Sequence, residues 1–369
     1  MPGRPIIGTG VLLLALALAG CGTLDAAVPG GAAADTQLVG VAMPTTTSPR
    51  WIADGENVTA QLEALGHDVD LQYADDDVPT QVAQIDAMID AGAEALVVGS
   101  IDGTALKDVL ARAADQGIPV IAYDRLIRGS ADVAYYATFD NARVGVQQAT
   151  SLLQGLGVLD AAGEPTGAAG PFTVELFAGS PDDNNATVFY QGAMSVLQPW
   201  LDAGVLVVPS GETDFATIAT PAWNGETAAT RLAALLDARP GTRLEAVLAP
   251  ADIISVALLE VLRGDGYGTG DRPWPVLTGQ DADVPAVQAV VAGEQHSTIY
   301  KDTRQLAEVA VQMVDALLAG REPETNDVTS YDNGVVVVPS YLLTSQVVTR
   351  DNYTQVLVES GYYTAEELA

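Results

Sequence analysis

Cysteine occurs once in these 369 residues, at Cys21; histidine occurs twice, at His67 and His296, and lysine twice, at Lys107 and Lys301. A single cysteine excludes an intrachain disulfide and a thiolate metal cluster. Two histidines so far apart argue against a histidine-based metal site. No Walker-type phosphate loop and no Gly-x-Ser-x-Gly elbow is present. Positive charge is scarce: 16 Lys and Arg stand against 48 Asp and Glu, for a net charge of −32. Such a polyanion repels phosphate backbones and anionic lipid, which excludes nucleic acid as a partner and attachment to a membrane by charge. The acidity reads as solubility in an extracellular, salt-exposed setting. The apolar run from Ile6 to Ala19 is shorter than the ~20 residues that cross a bilayer.

What is present is core-forming material and a leader. Hydrophobic residues make up 48% of the chain and the mean hydropathy is +0.21, so disorder through low hydrophobicity is excluded. The start, Met1-Pro2-Gly3-Arg4 followed by the apolar run, has the layout of a secretory signal peptide. Leu18-Ala19-Gly20-Cys21 then matches the bacterial lipobox, a branched apolar residue and two small ones before cysteine. That match implies cleavage before Cys21 and diacylglycerol on its sulfur. Residues 1–20 are thus expected to be a lipoprotein signal peptide. Residues 21–36, rich in Gly, Ala and Pro, are expected to be a lipid-anchored tether.

From Leu38 onward, short apolar runs alternate with helical stripes. Strands are expected over 38–43, 68–73, 95–98 and 119–123, with helices through Val78, Val82, Ile85 and Ile89 and through Leu106, Val109, Leu110 and Ala113. A second series follows Phe139. Its expected strands are 173–177, 205–208, 246–248, 275–278 and 297–300, with a late strand at 335–338. Its expected helices are 184–197, 227–237, 253–262, 284–292 and 303–318. Repeated β-α-β specifies an α/β chain with parallel, doubly wound sheets, and two such series specify two lobes.

In these sheets ligands sit beyond the carboxyl ends of the strands, so the residues just after each strand carry the functional signal. Those residues are Ser48, Arg50 and Trp51; Asp124 and Arg125; Ser180, Asp182, Asp183, Asn184 and Asn185; Asp252; Gln280 and Asp281; and Lys301, with Trp223 and Asn224 opening another helix. Planar hydrogen-bonding groups and indoles together suit a neutral polyhydroxyl ligand: carboxylates and guanidinium bind hydroxyls, and the C–H face of a sugar ring lies on an indole. Some positions have a second reading. Trp51 also fits a helical core stripe with Val58, Leu62 and Leu65. Asp124 and Arg125 could be a structural ion pair. Asp182 and Asp183 suit helix capping better than calcium, since the spacing and glycine of a calcium loop are missing. A glycosidase needs only two carboxylates, so that route stays open by sequence, although the two-lobe pattern argues against it.

The stretches "VGVAMPTTTSPRWIADGEN", "IAYDRLIRGS", "YYATFDNARVGVQQAT", "ELFAGSPDDNNA" and "TGQDADVPAVQAVVAGEQHSTIYKDTRQLA" resemble the ChvE-type multiple-monosaccharide-binding proteins of bacterial ABC sugar importers, collinearly from about Leu38 to the C-terminus. The resemblance implies a type I periplasmic-binding-protein fold. Its two lobes would be joined by a three-segment hinge, with crossings near 137–141, 299–302 and 337–341. One lobe would take 37–139 and 302–335, the other 140–301 and 336–369. It implies an aldopentose or aldohexose as ligand, such as xylose, arabinose, glucose or galactose. The implied contacts are Arg50, Trp51, Asp124, Arg125, Asn184 or Asn185, Trp223 with Asn224 beside it, Asp281 and Lys301. Many sugar-binding relatives carry Asn before the aspartate at 252; here it is Ala251, which removes a polar side chain from that loop. The implied protein is not an enzyme and needs no cofactor or metal. It is a monomer at the cell surface or in the periplasm, held to the membrane only through Cys21, and delivers its closed form to a permease with a separate ATPase. An alternative is a sugar sensor presenting the closed form to a membrane receptor.

Overall fold

A computed structural model describes residues 36–369; the expected leader, Cys21 and nearly all of the tether lie outside the described residues. The first strand, β1 (Leu38–Met43), is apolar on both faces and nearly all buried, as an interior parallel strand must be. It leads through α1 (Pro49–Ala64), β2 (Asp68–Tyr73), α2 (Val78–Asp90), β3 (Ala95–Val98), α3 (Lys107–Asp115) and β4 (Val120–Tyr123) to β5 (Tyr135–Phe139). The chain then enters the second lobe through α4 (Asn141–Gly155), β6 (Phe172–Leu176), α5 (Asn184–Asp202), β7 (Leu206–Val207), the short α6 (Phe215–Ile218) and α7 (Gly225–Ala238). There follow β8 (Ala246–Leu248), α8 (Asp252–Gly264), β9 (Val276–Leu277), α9 (Val284–Ala292) and β10 (Ser297–Tyr300). After them come α10 (Thr303–Leu318), β11 (Ser340–Leu343) and β12 (Gln346–Thr349).

The first sheet runs β11-β5-β4-β3-β1-β2 and the second β7-β6-β8-β9, all parallel, while β10 and β12 pair antiparallel. Helices cover both faces of the first sheet. Ile85, Met88, Val109 and Leu110 of α2 and α3 pack with Leu96 and Tyr136, and Trp51, Val58 and Leu62 of α1 join Leu306, Ala310 and Val314 of α10 around Val41 and Tyr123. The second lobe has corresponding cores around Val174 and Leu248 and around Val247 and Leu258.

The chain passes between lobes three times. Asp140 and Asp302 stand at two crossings, and each side chain accepts from the backbone N–H two or three residues on, capping α4 and α10. Each crossing is therefore anchored to a helix start. The third crossing departs from the expectation of 337–341. Ser340–Leu343 pairs with β5 in the first sheet, and only β12 returns to the second lobe, so residues 336–343 do not leave the first lobe. The valine run expected as a strand at 335–338 is instead a loop: Asn333 Oδ1 accepts from Val335 N and Val336 N, each at 3.0 Å, and Val335 is 55% exposed. Those amides are spent on a side chain and cannot join a ladder.

In the second lobe α4 crosses α5 at van der Waals contact through two glycines. A Cβ on Gly145 would lie 2.0 Å from the Phe189 carbonyl oxygen, and one on Gly192 2.3 Å from that of Ala142. This close crossing places the first turns of both helices, and with them Asn141 and Asn185, against β4 and β5.

Candidate ligand-binding site

The carboxyl ends of β1, β4, β6 and β9 face one another across the gap between lobes. The gap encloses about 580 Å³ of space between atoms, part of it continuous with solvent. Arg50 and Trp51 reach it from the first turn of α1, where Pro49 presets the helical φ angle and leaves no amide N–H to satisfy.

Arg50 is almost fully buried and surrounded by carboxylates. Its guanidinium lies 2.5 Å from Asp124 Oδ2, 3.2 Å from Asp54 Oδ2 and 3.6 Å from Asp281 Oδ1. Lys301, 2% exposed, places Nζ 2.9 Å from the same Asp281 oxygen. Burial alone would raise the Asp124 carboxyl, but Arg50 and Lys301 outweigh it and hold the group down at about 2. Asp54 goes the other way: burial pushes it up to about 7 despite Arg50, and the Tyr123 hydroxyl donates to its Oδ1 at 2.5 Å. Burial raises the Asp183 carboxyl, with Arg125 opposing.

The backbone at Asp124 is left-handed, with φ 59°, which turns its carbonyl away from the strand. That oxygen accepts from the Tyr136 hydroxyl at 2.6 Å, the Thr138 hydroxyl at 2.8 Å and the Asn185 amide at 2.8 Å. Asn185 thereby ties the second lobe to the first. A second tie is the ion pair from Arg125 Nε to Asp183 Oδ2 at 3.0 Å. Asp183 also caps α5 through Asn185 N, as its place in the sequence suggested.

Both expected indoles line the cavity. Trp51 does so from the core: it is 5% exposed, packs with Val58 and Leu62 and tilts against Tyr123 at 6.5 Å, with the Arg50 and Arg125 guanidinium carbons 5.1 and 5.2 Å from its ring centre. The core stripe and the cavity wall are the same residue, although Leu65, expected in that stripe, is 54% exposed. Trp223 is more open. It lies over Gly179, where a Cβ would come within 2.1 Å of the indole, and its Nε1 donates to Asp183 Oδ2 at 3.3 Å.

Of the expected contacts, Arg50, Trp51, Asp124, Arg125, Asn185, Trp223, Asp281 and Lys301 share this cavity. Asn184 and Asn224 stand off its wall. Asn224 is exposed, and its side-chain oxygen accepts from Thr227 N at 2.8 Å to cap α7. Asp252 is buried behind the wall, accepting from Gln295, Thr298 and the Asp283 amide, while its neighbour Ala251 faces the cavity. Asp183 and Gln280, strand-end residues outside the contacts that the resemblance implies, also line the cavity, as do Asp76 and Phe189, which the sequence does not single out. Phe189 stands one helical turn after Asn185, and Asp76 follows the edge strand β2, so strand-end and i,i+4 spacing were the signals available. Among the described residues no group of three or more His, Cys, Asp or Glu is gathered to hold a metal ion.

A family model for the periplasmic binding protein domain matches residues 39–322. The multiple sugar-binding periplasmic receptor ChvE of Rhizobium radiobacter is 54% identical over 337 residues, covering 91% of this chain and 93% of that protein. The D-xylose-binding periplasmic protein of Escherichia coli is 32% identical and covers 89% of this chain and 92% of its own length. The crystal structure of an ABC transporter solute binding protein from Clostridium phytofermentans with bound β-D-glucose superposes with a TM-score of 0.85 at 46% identity, over 90% of this chain and all of that one. Matched in sequence along nine-tenths of its length and in fold by two parallel-sheet lobes around one cavity, the chain belongs to the periplasmic binding protein family, among the ChvE-type multiple-sugar-binding receptors.

Proposed function

We propose that this protein captures a neutral monosaccharide, an aldopentose or aldohexose, between its lobes and delivers the closed form to the permease of an ABC importer. One observation carries the reading. A single cavity joins two indoles to charged groups from both lobes, with the cations Arg50, Arg125 and Lys301 facing the carboxylates Asp76, Asp124, Asp183 and Asp281. The cations do not outnumber the carboxylates, so the site offers no net attraction to an anion. It offers donors and acceptors in near balance, which is what hydroxyls need. The flat C–H face of a sugar ring fits the indoles, each worth on the order of 1–3 kcal/mol by buried area.

Sugar bound to one lobe gains the other lobe's contacts only on closure, and that difference shifts the equilibrium toward the closed form. The relatives support the ligand class: one is a multiple sugar-binding receptor, one a D-xylose-binding protein, and one was crystallised with bound β-D-glucose. The solute-binding protein among them supports the importer role. The relative named as a receptor supports a second reading, in which the closed form is presented to a membrane sensor. In both readings the protein acts as a monomer outside the cytoplasmic membrane and is tethered by lipid on Cys21. Mass spectrometry of the mature N-terminal peptide tests the tether, since an unmodified Cys21 removes it.

A thermal-shift panel of pentoses and hexoses tests the binding function. The expected result is a rise in melting temperature with at least one aldose, of about 2.7 kcal/mol in stability at a hundredfold excess over Kd. No shift with any aldose overturns the reading.

A further inference from the structure

Gln280 comes after β9 with Thr278 and Gly279 between, one residue before Asp281, and is 2% exposed. Its side chain lines the cavity, yet Oε1 has no hydrogen-bond partner among the described residues. Three other buried atoms around the cavity also lack an aligned hydrogen bond, but each has an ionic partner close by. Arg50 Nε and Asp54 Oδ2 face each other at 3.2 Å, and Asp281 Oδ1 stands 2.9 Å from Lys301 Nζ. Gln280 Oε1, on a neutral amide, is the one of these four that forms no ion pair. Only the residue's backbone is committed, its carbonyl accepting from Asp252 N at 2.8 Å.

A buried amide left without a partner costs free energy, so its retention on a cavity wall calls for a partner that arrives with the ligand. The wall around it sharpens the point. Ala251 and Ile253 line the same cavity and carry no polar side-chain atom, so of these three residues Gln280 alone can form a hydrogen bond.

We propose that Gln280 is a specificity-determining residue, its amide oxygen accepting a hydrogen bond from one particular hydroxyl of the bound sugar. An amide suits this role. Its acceptor and donors lie in one plane on opposite sides, so a hydroxyl is satisfied in one orientation and its epimer is not. The apolar Ala251 and Ile253 beside it leave any substituent there unread, so a single position is discriminated while the neighbouring one is tolerated. The inference rests on the reading of this cavity as a sugar site and adds a named discriminator to it.

The experiment is calorimetry on the full chain and on the variants Gln280→Met and Gln280→Ala, with D-glucose, D-galactose and D-xylose. The tightest of these is then compared with its monodeoxy analogues, each lacking one hydroxyl. In the wild type, one analogue is expected to bind about tenfold or more weaker through loss of the hydroxyl that meets Gln280. In the variants the parent sugar weakens by a similar factor, and the gap between parent and that analogue collapses to within about threefold, while the penalties of the other analogues persist. No side-chain hydrogen bond to the described residues is lost in either variant, and Gln280→Met keeps nearly the same length, so circular dichroism should show an unchanged fold. Unchanged affinity in the variants, or an unchanged gap for every analogue, overturns the role of Gln280 while leaving sugar binding intact. A wild type that binds none of the sugars instead removes the proposed function, and this inference with it.

Discussion

At the residue scale the site is decided by how a few buried charges are shared. Arg50 serves three carboxylates at once and Lys301 serves one, and the leftover negative charge is relieved by Asp54, whose carboxyl burial pushes up to about 7. The consequence for stability has a definite sign. Asp54 is raised when folded, so its stabilising contribution is complete below the ordinary aspartate range and is lost as pH rises through about 7. Asp124, held down at about 2, contributes above the ordinary range and loses its contribution as pH falls toward 2. Melting temperature measured against pH should fall between pH 4 and 7 in the wild type, and Asp54→Asn should flatten that decline. Some slope will remain, because burial also raises Asp283 to about 7. An identical slope in the variant would show that Asp54 does not hold the proton. Two other residues bear on binding. Trp223→Ala and Asp281→Ala should each weaken sugar affinity by at least about tenfold with the fold retained, since a buried aromatic or charge at the centre of a contact carries much of its energy. Wild-type calorimetric affinity in either variant removes that residue from the site.

At the scale of elements, the first turns of α1, α4, α5 and α10 carry the site and the hinge together. Each is placed by a sequence device: Pro49 at α1, and the caps Asp140, Asp183 and Asp302 at the others. The α4–α5 crossing is the least tolerant of these joints. Gly145→Ala sets a methyl against the Phe189 carbonyl and should cost ~1–3 kcal/mol by overpacking, seen as a lower midpoint in urea with an unchanged slope. A wild-type midpoint would mean the helices can part at no cost. This scale also shows what the sequence discloses and what it hides. Hydrophobic runs bounded by helical stripes revealed β1, β3 and β8 closely, because interior parallel strands are apolar on both faces. The run Val335–Val338 misled, because apolar side chains say nothing about where the amides go, and Asn333 claims two of them. Asn224 misled for a related reason: the residue types that bind hydroxyls are those that cap helices, and composition does not separate the two. Asp54 was invisible as a member of the charge cluster, since it lies within α1 and only the fold brings Tyr123 to it.

For the whole molecule, two lobes on three crossings form a body whose closure is opposed by lost freedom and favoured by contacts across the gap. Some of those contacts belong to the protein alone, namely Asn185 to the Asp124 carbonyl and Arg125 to Asp183. Small-angle X-ray scattering should show a smaller radius of gyration with saturating aldose than without. Arg125→Ala should open the unliganded molecule further by removing one clasp. Equal radii with and without sugar would remove closure from the mechanism.

The placement of Lys301 beside Asp302 sets a lever arm. The ammonium group beside the cavity belongs to the residue just before the one that starts α10, and the sixteen residues of that helix extend ~24 Å into the lobe. A small rotation at that pivot is multiplied along the helix into a larger excursion at its far margin. Any neighbour touching only that margin would gauge a full load by travel, without ever meeting the sugar.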